Sequence, residues 1–150
     1  MEFVYKTYII STADEVWKAL TEGDMTEQYF FGRRVHSDWE AGSKVTFFTP
    51  SGSLDVEGTL KIVKPEQHLS YSWLHASEKD RKKETVVHFY LKPIENAVRL
   101  TLVHEGLNPD DFCDDPDTFY GLNNGWPAIL SNMKSLIETG ETLTAMNLDD

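Results

Sequence analysis

"GLNNGWPAILSNMKSLIETG" spans residues 121–140. Its apolar residues Trp126, Ile129, Leu130, Met133, Leu136 and Ile137 recur three and four apart, which puts them on one broad stripe of a helix. The pattern predicts a helix beginning and ending between Asp117 and Thr139, with Asn124 as its candidate cap and Gly140 as its stop. Pro127 either kinks this helix or marks the first turn of its main segment. Nearly everything between residues 33 and 105 reads instead as strand. A helix with so wide an apolar stripe must bury it, and a sheet with one apolar face must be covered. That match decides the fold.

Working outward, period-2 alternation and β-branched or aromatic content place strands near residues 2–10, 33–39, 44–49, 54–63, 68–76, 84–92 and 97–105. The separators "EAGS", "PSGS", "KPEQ", "SEKDRK" and "IENA" are turn formers, so the later strands should run as consecutive antiparallel hairpins. "STADEVWKAL" reads as a helix with Ser11 or Thr12 as N-cap, acidic Asp14 and Glu15 in its first turn, and Gly23 as its end. A second short helix covers 24–30. The expectation is a single α+β domain over residues 1–150. A curved antiparallel sheet of six or seven strands carries two short helices, and the long C-terminal helix lies across its concave face. Residues 141–150 read as a frayed tail.

The chain has 150 residues and a formal net charge of −11. An acidic surface repels phosphate backbones, so nucleic acid is not an expected partner. Cys113 is the only cysteine, which excludes an internal disulfide and fits a reducing, cytoplasmic setting. The opening "MEFVYKTYII" lacks a basic region before an apolar core, so no secretory signal is expected. No apolar run reaches the ~18–20 residues of a membrane span, so insertion is not expected either. "GRR" at 32–34 and "KDRKK" at 79–83 are basic clusters, read as solvated turns or, alternatively, as docking patches. "GLNPDDFCDDPDT" at 106–118 reads as a solvated acidic loop.

Four stretches resemble a known superfamily. "IISTADEVWKALTEGDMTEQYF" is similar to the opening strand and Val-Trp helix of START-like (SRPBCC) helix-grip domains. "SDWEAGSKVTF" resembles their acidic turn with glycine before a strand. "GTLKIVKPEQHLSYSW" resembles their strand, Pro-Glu turn and Trp-ending strand. "RLTLVHEGL" followed by "GWPAILSNMKSLIE" resembles their last strand and closing helix. More narrowly, the chain resembles the branch related to the activator of Hsp90 ATPase (AHSA1-like). The resemblance implies a cavity between sheet and helix that holds an apolar molecule. In other members the fold serves protein contacts or enzymatic cyclisation and hydrolysis, so fold alone does not choose.

Alternation assigns the inner face from the residues themselves. Tyr71, Trp73 and His75 share a face with Leu69; Phe89 sits with Val87 and Leu91; Leu100, Leu102 and His104 go with Val98. Phe47 and Val45 fit an earlier strand, and Trp126, Leu130 and Met133 return from the helix. The expected ligand-binding set is therefore Phe47, Tyr71, Trp73, His75, Phe89, Leu100, Leu102, His104, Trp126, Leu130 and Met133. Tyr71, His75 and His104 are its polar members. A fully packed core is the plainer alternative for the same residues.

There is no Gly-rich phosphate loop, nucleophile elbow or metal-ligand spacing. No catalytic residue, metal or cofactor is assigned. The leading expectation is a domain that binds an apolar or amphipathic small molecule. The alternatives are a protein-interaction module similar to the Hsp90 co-chaperone domain, or a cyclase- or hydrolase-type enzyme using His104 or His75, with His104 as the candidate general base.

Overall fold

The computed structural model describes residues 1–143. The elements run β1 (Glu2–Ile9), α1 (Ala13–Thr21), α2 (Gly23–Tyr29), β2 (Arg34–Ser37), β3 (Lys44–Phe48), β4 (Leu54–Lys64), β5 (His68–His75), β6 (Thr85–Ile94), β7 (Ala97–Glu105) and α3 (Leu122–Thr139). The seven strands form one antiparallel sheet in the order β1-β7-β6-β5-β4-β3-β2. Strands β2 to β7 are a simple meander, joined by connections rich in turn formers, the longest being residues 76–84 between β5 and β6. β1 and β2 occupy opposite edges, so the chain must cross the sheet between them. α1 and α2 are that crossing.

Local chemistry sets the helix ends. The Thr12 hydroxyl accepts from the Glu15 N–H at 3.2 Å and caps α1. Glu22, not Gly23, is the C-cap of α1, and Gly23 opens α2. α3 begins at Leu122 with Gly121 as N-cap, later than Asp117 and without the cap expected of Asn124. The Asn124 amide instead donates to the Asp115 and Tyr120 carbonyls, so it ties down the preceding loop. Pro127 lies inside α3. Gly140 adopts φ 82° and closes the helix as expected. The frayed tail expected over 141–150 lies largely outside the described residues. Of its first three, the Leu143 N–H reaches the Asn132 side chain at 2.8 Å.

The core sits between the concave face and α3. Trp126, Ile129, Leu130, Met133 and Leu136 are all buried there, each contributing roughly 1.5–3 kcal/mol. The alternating residues Val87, Phe89 and Leu91 of β6 and Val98, Leu100, Leu102 and His104 of β7 are buried opposite them. Gly58 allows β4 to lie close to β5: a Cβ there would sit 1.7 Å from the Ser72 carbonyl oxygen. No helix among the described residues is long and apolar enough to cross a membrane.

Candidate functional site

The centre of the sheet–helix interface is filled. Phe47, Tyr71, Phe89 and Leu130 border a void of about 10 Å³, while Leu100, Leu102 and Met133 are fully buried. The open volume lies at one end, where α3 begins. It is a half-enclosed cavity of about 270 Å³, just below the ~300–1,000 Å³ typical of small-molecule sites. Of the expected residues, it brings together Trp73, His75, His104 and Trp126.

Its floor is aromatic and its rim charged. Trp73 and Trp126 pack at 5.1 Å between ring centroids, with Phe30 at 6.1 and 5.6 Å from them. Ile129 and Leu107 complete the buried lining, while Phe119 and Tyr120 are exposed at the mouth. Phe31 packs against Phe119 with ring centroids 5.8 Å apart and the rings tilted by 41°, and it holds φ 50°, a left-handed conformation costly for a bulky residue. Its carbonyl accepts from the Arg33 guanidinium at 2.6 Å.

One polar chain crosses the floor. An indole nitrogen can only donate, so Trp126 Nε1–H donates to His104 Nδ1 at 3.1 Å. That leaves the imidazole proton on Nε2, which donates to Thr85 Oγ1 at 2.9 Å. The Thr85 hydroxyl in turn donates to the Trp73 carbonyl at 2.8 Å. Burial, the dominant cause, pushes the His104 pKa down to about 3. With both nitrogens engaged and the charged form excluded, His104 has no lone pair with which to accept a substrate proton. The general-base role considered for it finds no geometric support. Tyr71 is likewise fully buried, and burial raises its pKa far above the ordinary tyrosine value. The Trp73 indole N–H is buried with no partner among the described residues.

The rim is built from loops that sequence reasoning treats separately. Arg81, from the "KDRKK" turn, forks onto both Asp111 carboxylate oxygens at 2.7 Å and also reaches Glu78 at 3.0 Å. Arg81 and Asp111 side chains are only 13% and 12% exposed, so neither is a solvated turn residue. The Arg81 guanidinium beside Asp111 holds that carboxyl below its ordinary range. Asp111 also accepts from the Asn108 N–H at 2.7 Å, so the acidic loop is a structured 3-10 turn at this point. Arg33, of the "GRR" cluster, is 5% exposed and pairs with Asp55 at 3.3 Å. Gly121 lets the loop close on α3: a Cβ there would meet Cys113 at 2.5 Å.

Arg33, Asp55, Arg81 and Asp111 leave no trace in strand periodicity. Thr85 does: it shares the inward phase of Val87 and Phe89. Phe119 and Tyr120 stand out in the sequence only as an aromatic pair in an otherwise polar loop. No group of three or more His, Cys, Asp or Glu placed to hold a metal ion occurs among the described residues.

The profile of the family described as Activator of Hsp90 ATPase homolog 1-like protein matches residues 11–138. Among solved structures, protein MLL2253 from Mesorhizobium loti is 22% identical, with a TM-score of 0.74 over 97% of this chain and 100% of that one. The Aha1 dimer from Colwellia psychrerythraea is 16% identical, with a TM-score of 0.72 over 93% and 98%. PFC0360w, an HSP90 activator from Plasmodium falciparum, is 17% identical, with a TM-score of 0.71 over 91% and 96%. At these identities the likeness shows the helix-grip fold. No curated protein matches the chain.

Proposed function

This chain belongs to the Activator of Hsp90 ATPase homolog 1-like protein family, and from that premise we propose that it binds a small amphipathic molecule in the cavity where α3 begins. The observation that carries this reading is the open volume of about 270 Å³ over an aromatic floor. Apolar burial against Trp73, Trp126 and Phe30 supplies affinity. Of the wider expected set, Phe47, Tyr71 and Phe89 pack against the rings of this floor, while Leu100, Leu102, Leu130 and Met133 serve the packed core behind it. The role is sequestration in the cytoplasm, without metal or redox cofactor.

A thermal-shift screen against apolar and amphipathic compounds tests it. A ligand at 100 times its Kd stabilises by roughly 2.7 kcal/mol, which lifts the midpoint by several degrees, at ~2–4 °C per kcal/mol. Leu122 lines the cavity mouth and is only half-buried, so Leu122→Trp should fill the space and abolish the shift. A shift that survives Leu122→Trp rejects this cavity as the site.

A second reading is a protein contact of the co-chaperone kind. The observation favouring it is a set of exposed apolar residues on one face along and just beyond edge strand β1: Val4, Tyr8 and Ile10 are 47%, 51% and 57% exposed, with the exposed Lys6 between the first two. Measuring the ATPase rate of an Hsp90 with and without this chain separates the two. Stimulation lost on Tyr8→Ser, and indifferent to Leu122→Trp, would favour the contact reading.

A further inference from the structure

The rim carries a charge imbalance. Arg33 and Arg81 face Asp55, Glu78, Asp110 and Asp111 around the cavity, two guanidinium groups against four carboxylates. Both guanidinium groups already hold carboxylates: Arg33 pairs with Asp55, and Arg81 is forked onto Asp111 with Glu78 beside it. An incoming anion would have to displace one of these carboxylates. The Asp110 carboxylate is exposed and makes no hydrogen bond or ion pair among the described residues. It lines the same cavity as Phe119 and Tyr120, which are 37% and 56% exposed. Ring faces and surplus carboxylate both attract positive charge. The net charge of −11 on the whole chain adds to that field.

Resting on the reading above, we propose that the cavity selects an organic cation: a flat apolar body that enters over Trp73 and Trp126, with an amine head held at the mouth by the aromatic rings and Asp110. The buried floor cannot hold the charge, because the polar groups of His104 and Thr85 are spent on each other and on Trp126 and Trp73. The head therefore stays at the rim, where it remains partly hydrated. Fatty acids and other carboxylates, which suit the same apolar floor, are disfavoured by the rim.

Calorimetric titration with three compounds of one skeleton tests this: naphthylmethylamine, naphthylmethanol and naphthoate. The amine is expected to bind roughly tenfold tighter than the alcohol at low ionic strength, from one cation–π contact and one exposed ion pair. The naphthoate should be the weakest. Added salt should shrink the preference, since exposed charges are screened. Asp110→Asn should narrow the gap between amine and alcohol, and Leu122→Trp should abolish binding of both. Alcohol or naphthoate binding as tightly as amine would overturn the cation preference and leave the cavity reading standing. Absence of binding by all three would overturn the cavity reading itself.

Discussion

Trp126 Nε1 lies 3.1 Å from His104 Nδ1, and this single bond dictates the state of the imidazole. The indole can only donate, so Nδ1 must carry a lone pair and the ring must be neutral. Protonation would set two N–H groups against each other in a dry site. The histidine is thus a structural joint between β7 and α3, and it fixes the tryptophan that floors the cavity.

Acid sensitivity follows from that joint. The His104 pKa falls from 6.5 in the unfolded chain to about 3 when folded. Between those values the unfolded state binds more protons, so stability is full above about pH 6.5 and is lost as pH falls toward 3. The limiting slope for one such group is about 1.4 kcal/mol per pH unit. His68, pushed down by its own burial and by His88, adds to the same window. Urea midpoints at several pH values should show wild type losing stability across this range and His104→Gln losing markedly less. Identical slopes for both proteins would contradict the assignment.

Removing the Arg81 fork should loosen the cavity rim. Asp111 would keep its negative charge with little solvent to offset it, and hydrogen bonds to charged groups contribute about 1.5–3 kcal/mol each. Arg81→Ala is expected to lose a comparable amount, with protease cleavage appearing first between residues 106 and 121. Arg81→Lys keeps the charge but cannot fork, so it should recover less than half of the loss. Full recovery by lysine would show that charge alone suffices.

Gly58→Ala should be among the most damaging single-methyl changes. The new Cβ would lie 1.7 Å from a backbone oxygen of the neighbouring strand, and no side-chain rotation relieves that. The cost should reach or exceed the ~1–3 kcal/mol of ordinary overpacking. Chemical denaturation is the direct measurement, and a loss under ~0.5 kcal/mol would mean the two strands can separate freely.

Core and cavity should respond separately to mutation. Leu102 is fully buried and does not line the cavity, so Leu102→Ala should cost about 2–5 kcal/mol and leave the affinity of a cavity ligand within about threefold. Leu122→Trp should do the reverse. Paired denaturation and titration of the two variants would show whether the division holds.

Most of the architecture is legible in the chain itself. Burial selects a period of two in strands and of three to four in helices, and those periods are local. They are enough to turn Phe89, Leu102, His104 and the Trp126–Met133 stripe inward. The start of α3 is less legible, because Gly121, Asn124 and Pro127 each fit more than one local geometry, and only packing against Cys113 and the loop chooses. The site is hidden further still. Its volume is what remains after large side chains have filled the centre, a property of summed shapes and not of any repeat. Its rim depends on Arg81 meeting Asp111 from 30 positions away in the chain, and no local period records which loop charge will face which. The sheet, the covering helix and the inner faces can be read from residue order alone, because alternation and amphipathicity act on neighbours. That the helix fills the middle of the sheet and leaves room at one end emerges only in the folded chain, because close packing is settled by residues that meet from distant parts of the sequence.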